Sequence, residues 1–100
     1  MKIIKVENEL NEAALRSLYK DITYNWSNNV DHIVTLTEVI YEDEHLGRCK
    51  SEIQILKLKS KEQFYIRCLC ESYPIGTPES FQYMYMKMLN KIKSMSDKEI

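Results

Sequence analysis

Three thiols and two imidazoles are the residues here whose types and spacing could do chemistry. Cys68-Leu69-Cys70 sets two thiols two residues apart, on one face if the segment is a strand, and His45 and Cys49 lie at the start of the neighbouring strand. Four such groups are a zinc ligand set on paper. Structural zinc sites, however, take their sulfurs from Cys-x2-Cys turns, whereas Cys-x-Cys inside an alternating apolar run reads as small core residues. His45 could also serve Cys49 as a base. The acidic run Glu42-Asp43-Glu44 beside it opposes formation of a thiolate, which needs an electropositive setting.

The same three carboxylates are adjacent in a turn, as in a solvated loop rather than an acid/base pair spaced across a cleft. His32 falls on the mostly apolar side of a strand and reads as a structural residue. With only Gly47 and Gly76 in the chain there is no glycine loop to cradle a phosphate, and no nucleophile elbow or HExxH helix is present. The sequence therefore predicts no catalytic residue, no metal site and no cofactor.

The cations have a pattern of their own. Residues 1–45 carry four Lys/Arg against nine Asp/Glu, and residues 46–95 carry nine against four, a balance of −5 and then +5. Lys50, Lys57, Lys59, Lys61 and Arg67 cluster on the central hairpin, with Lys87, Lys91 and Lys93 on the final helix. If aligned, they would form a stripe able to hold RNA, which is the alternative reading of the chain. The bland reading is a solvated charged face.

The elements that must position these groups follow from periodicity. Lys2-Ile3-Ile4-Lys5-Val6 is a short strand. Asn8 or Asn11 caps a helix in which Ala14, Leu15, Leu18, Tyr19, Ile22 and Trp26 share one arc, Glu12 and Arg16 pair across one turn, and Asn28-Asn29 marks the end. From Val30 the period becomes two: Val30, His32, Val34, Leu36 and Ile40 alternate with Asp31, Ile33, Thr35, Thr37, Val39 and Tyr41. Glu42 to Gly47 turns the chain into a strand over 49–58, whose apolar phase shifts between Ile53-Ile55 and Leu56-Leu58, as a bulge would produce. A further strand covers 63–71, with Phe64, Ile66, Cys68 and Cys70 on one side and Tyr65, Arg67 and Leu69 on the other.

Pro74-Ile75-Gly76 then leads to the best-marked element, a helix over 77–95. Thr77 is its N-cap, Pro78 its first residue, and Glu79 lies at the positive end of its dipole. Phe81, Met84, Tyr85, Met88, Leu89, Ile92 and Met95 fall within an arc of roughly 140° and form its core face. The predicted fold is α+β: a two-layer sandwich of order β-α-β-β-β-α, an antiparallel meander with two helices packed on one face. Residues 1–95 are read as a single compact domain and residues 96–100 as a frayed tail.

The α-β-β-β-α order resembles that of double-stranded-RNA-binding domains, and with the added first strand it resembles that of ribosome hibernation factors. The resemblance covers element order alone. The basic start of the last helix in those RNA-binding domains is Pro78-Glu79-Ser80 here, and their Gly-Pro-x-His loop is absent, so no site residue is implied.

At 100 residues, 44% hydrophobic and 29% charged, the chain has globular proportions and length for one core. It has no apolar run long enough for a signal peptide or a membrane span, and three cysteines are an odd number. The expected location is the cytoplasm, with free thiols, so the glycosylation pattern Asn25-Trp26-Ser27 carries no meaning.

What remains is surface. Tyr83 and Met86 project from the final helix on the side away from its core arc, with Lys87 and Asn90 beside them. Tyrosine and methionine suit protein interfaces. A second candidate is an uncovered sheet face bearing Thr35, Thr37, Val39, Tyr41, Tyr65 and Leu69. The expected function is a small non-enzymatic protein-binding module, an adaptor or inhibitor that contacts a larger protein or its own copy. By analogy with phage and mobile-element chains of similar composition, an inhibitor of a host defence such as CRISPR is one form it would take.

Overall fold

The computed structural model of the chain describes residues 2–27, 29–59 and 61–97. Its elements are β1 (Lys2–Glu7), α1 (Glu12–Asn25), β2 (His32–Asp43), β3 (Gly47–Lys57), β4 (Phe64–Cys68), β5 (Glu71–Ile75) and α2 (Pro78–Asp97). The strands form one antiparallel sheet in chain order, β1-β2-β3-β4-β5. Both helices lie on one side of it, giving the expected α+β sandwich with one strand more than the periodicities indicate.

The extra strand comes from a reversal inside the segment read as a single strand over 63–71. Leu69 takes a left-handed backbone, φ 57°, and the chain doubles back so that Cys68 pairs with Glu71. Pro74 argues against a strand because it has no N–H to give a ladder. It is tolerated because β5 is at the sheet edge.

Each helix starts where its cap residue permits. The Asn11 side chain accepts from the Ala14 N–H at 2.8 Å, and Glu12 pairs with Arg16 at 3.1 Å. Helix α1 stops at Asn25, earlier than expected, because Trp26 becomes extended and its ring stacks on His32 with centroids 4.9 Å apart. Asn28 lies outside the described residues. In α2, the Ser80 N–H donates to Thr77 Oγ1 at 3.0 Å, and Ser80 Oγ accepts in return from the Thr77 N–H at 3.1 Å, a reciprocal cap. The helix runs to Asp97, which takes in the first two residues of the expected tail; residues 98–100 lie outside the described residues.

One added residue decides which side chains of β2 reach the core. Thr35 pairs with Gln54 but Thr37 with Ile53, so Leu36 is a bulge. Because side chains alternate with period two, the insertion exchanges the faces: His32 and Val34 point to the helices below it, and Thr37, Val39 and Tyr41 above it. The expectation that Thr37, Val39 and Tyr41 share an open face with Thr35 is therefore corrected; Thr37 and Val39 are fully buried. A second bulge falls at Ile4. The bulge expected in β3 is absent, since its pairing with β4 runs unbroken from Ile53 to Lys57. Its change of apolar phase has another cause. Leu56 is buried on the open side of the sheet, between Ile33 and Tyr65 on the adjacent strands.

The core joins Leu15 and Ile22 of α1 to Phe81, Tyr85, Met88, Leu89 and Ile92 of α2, over Val39, Ile53, Ile55, Ile66, Cys68 and Ile75 of the sheet. Each large apolar side chain so buried contributes about 1.5–3 kcal/mol. Met84 packs partly buried against this cluster, and the Met95 side chain lies outside those described. No helix among the described residues is long and apolar enough to cross a membrane.

Candidate functional site

The reversal at Leu69 separates the thiols that the sequence puts on one strand. Cys68 is buried at the end of β4, where desolvation pushes its thiol up and away from the reactive thiolate, while Cys70 is exposed in the turn. Cys49 is half-buried and its Sγ lies 3.6 Å from the Gly47 carbonyl. Among the described residues no three His, Cys, Asp or Glu side chains gather closely enough to hold a metal ion. The His32 ring, stacked on Trp26, has Nε2 3.2 Å from the Ser27 carbonyl. His32 is thus half-buried on the helix side of β2, held between the Trp26 ring and the Ser27 carbonyl.

The cations considered for RNA are spread over both layers. Lys57 faces the helices and is 2% exposed, its Nζ 3.5 Å from the Ser27 carbonyl. Lys91 on α2 is paired with Glu71 at 2.8 Å, which holds the Glu71 carboxyl below and the Lys91 ammonium above their usual ranges. Lys50 and Arg67 do share the open face, but they sit in a polar network. Arg67 donates twice to Gln54 Oε1, at 3.2 and 2.6 Å, and Gln54 donates to Glu52 at 2.8 Å. Lys50 lies 3.4 Å from Glu52 and 3.8 Å from Glu38. Lys59 and Lys61 are exposed beyond the end of β3. The fold does not line these six groups up in one stripe, and the carboxylates beside Lys50 and Lys91 reduce the field they would offer a phosphate backbone.

The partner-binding candidates divide between surfaces. Tyr65 faces the open side of the sheet and Tyr41 the helix side, both half-buried, so they do not belong to one patch. Tyr83, Met86, Lys87 and Asn90 are all exposed on α2. The Tyr83 ring is 65% exposed and has the Lys87 ammonium 6.0 Å from its centroid, the arrangement of a cation–π contact. Met86, 39% exposed, lies at the mouth of an open groove of about 540 Å³ between α2 and the start of α1, lined also by Leu10, Leu15, Gln82, Glu9 and Glu12.

Sequence reasoning missed Leu10 and Gln82 because the groove depends on how the helices meet. Helix α1 runs back along α2, bringing Tyr19 against Phe81 with ring centroids 5.9 Å apart and Leu15 toward Met86. The acidic rim is anchored as well: Glu9 accepts from Lys93 at 2.6 Å, and Glu12 is held by Arg16. The arrangement offers an apolar floor of Leu10 and Leu15, the Met86 thioether at its mouth and an acidic rim, with Tyr83 exposed on the same helix outside the groove.

No family model, curated protein or solved structure matches this chain. The fifth strand also departs from the α-β-β-β-α order that resembles double-stranded-RNA-binding domains.

Proposed function

We propose that the chain is a small non-enzymatic protein-binding module, an adaptor or inhibitor acting in the cytoplasm, and that the outer face of α2 with the adjoining groove is its contact surface. The observation that carries this reading is the joint exposure of Tyr83 and Met86 on α2, with Met86 sharing the groove with Leu10. A tyrosine presents area at low entropic cost, and a methionine adapts to an irregular partner. The groove floor supplies the apolar centre that a contact surface needs and the Glu9 and Glu12 rim its polar border. The free thiols suit a reducing compartment. A host-defence protein is one class of partner that such a surface would serve.

The test is affinity capture from the native cell with the wild-type chain and with the Tyr83→Ser, Met86→Ser double variant. A protein retained by the first and lost from the second, at equal thermal stability, supports the surface. Identical captures refute it.

A further inference from the structure

Strand β2 is twice as long as the strand beside it. The six residues of β1 pair only with Glu38–Glu42, so His32–Leu36 has β3 on one side and no strand on the other among the described residues. A bare strand edge presents unpaired N–H and C=O groups, a template for another strand. The other two edges of the sheet carry the features that block such pairing. β1 has Lys2, Lys5 and the bulge at Ile4, and β5 is five residues long and contains Pro74. His-Ile-Val-Thr-Leu over 32–36 has neither lysine nor proline, and its bulge, at Leu36, lies only where the free stretch ends. Ile33 is 56% exposed on the open side of the sheet and Val34 38% exposed on the helix side.

We infer that this edge pairs with the same edge of a second copy, antiparallel, about a two-fold axis at Val34, joining the two sheets into one. Geometry selects the register. Sheet faces stay continuous across the seam only if opposed residues have the same parity, so the axis passes through a residue and not between two. Centred on Val34, the pairing sets Val34 against Val34, Ile33 against Thr35, and His32 and Leu36 at the two ends. The exposed β-branched side chains then cover one another, and a segment without Asp, Glu, Lys or Arg meets itself without like-charge repulsion.

Length favours the copy over an unrelated strand. The free lane closes at its upper end where Glu7, the last residue of β1, lies opposite Glu38, and a copied β2 starts at His32, so its chain leaves the lane at the level of Leu36. This contact uses a different surface from the α2 groove and does not depend on the role proposed for it.

The experiment is sedimentation velocity of the full chain over a concentration series. The wild type is expected to shift from monomer toward dimer with concentration. Val34→Lys should remain monomeric with an unchanged circular dichroism spectrum, and Tyr83→Ser, Met86→Ser should dimerise like the wild type. A second measurement stands even if Val34→Lys fails to fold. In a Cys49→Ser, Cys70→Ser background, Val34→Cys places two thiols on the axis, where antiparallel neighbours have Cα atoms about 4.5–5.5 Å apart, within disulfide range. Mild oxidation should link this variant and leave Thr35→Cys unlinked. A wild type that is monomeric throughout, a folded Val34→Lys that dimerises normally, or equal cross-linking at 34 and 35 would overturn the inference.

Discussion

The Tyr85 hydroxyl lies 2.6 Å from the Thr37 hydroxyl, with both side chains fully buried between α2 and β2. Thr37 donates its proton to the Asn8 carbonyl at 2.9 Å, so Tyr85 must donate to Thr37, and Tyr85 accepts in turn from the Leu10 N–H at 2.9 Å. This chain ties the β1–α1 connection, where Asn8 has φ 60°, to both layers and sets the floor of the groove at Leu10. Tyr85→Phe strands a buried acceptor and the Leu10 N–H, and should lower stability by about 1–3 kcal/mol in urea unfolding. Thr37→Val should cost a similar amount, and the double variant less than the sum of the two. Full additivity would show that the two hydroxyls do not act together.

That pair also marks where the sequence stops being legible. Tyr85 is placed correctly by the 3.6-residue period of α2, and the caps at Asn11 and Thr77 follow from local chemistry that needs no tertiary context. Thr37 is misplaced because one extra residue at Leu36 inverts the face of everything after it, and alternation on a strand apolar on both sides gives no sign of where the inversion falls. Strand β5 is hidden by Pro74, whose penalty depends on whether the strand is an edge. The α2 surface at Tyr83 and Met86 is visible as a departure from the core arc, whereas Leu10 and Gln82 join it only through the crossing of two helices. The bare edge at Ile33 and Val34 is invisible for the same reason: it exists because β1 pairs with the far half of β2.

Among the described residues Lys57 is the hairpin cation committed to the interior, and its Nζ makes a long contact with the Ser27 carbonyl. Burying an ammonium costs more than such a contact returns, so an apolar side chain of similar length should be tolerated. Lys57→Met is expected to leave stability unchanged or raise it by up to about 1 kcal/mol. Lys57→Asp should abolish cooperative unfolding, because it sets an unpaired carboxylate beside Trp26, His32 and Phe64. Thermal melts of the two variants distinguish these outcomes. A strongly destabilised Lys57→Met would mean that the ammonium has a structural task beyond this contact.

The reciprocal cap at the start of α2 makes a local prediction with a consequence for the surface. Thr77→Ala removes the acceptor for the Ser80 N–H and should cost about 1 kcal/mol in chemical denaturation. Thr77→Asn should recover most of it. Tyr83 and Met86 lie one and two turns further on, so fraying at the start should weaken partner capture by the α2 surface more in Thr77→Ala than the loss of stability alone explains. Hydrogen exchange at Phe81 to Tyr83 reports the fraying directly.

The turn between β2 and β3 gives the clearest pH dependence. Asp43 Oδ1 accepts from the N–H groups of His45 at 2.8 Å and Leu46 at 3.0 Å, and these bonds hold its carboxyl below the usual aspartate range. A carboxyl whose folded pKa is lowered binds its proton more readily in the unfolded chain. Its contribution is therefore fully present above the ordinary aspartate pKa and is lost as pH falls through the folded one. Asp43→Asn keeps an acceptor for the turn but cannot titrate. The gap in melting temperature between wild type and Asp43→Asn should be widest near neutral pH and close in acid, with the wild type supplying the movement. Asp43→Ala loses the turn bonds altogether and should melt below both at neutral pH. A gap that stays constant into acid would show that the Asp43 charge adds nothing to what a neutral acceptor provides, and that the hairpin is held by its strands rather than by its turn.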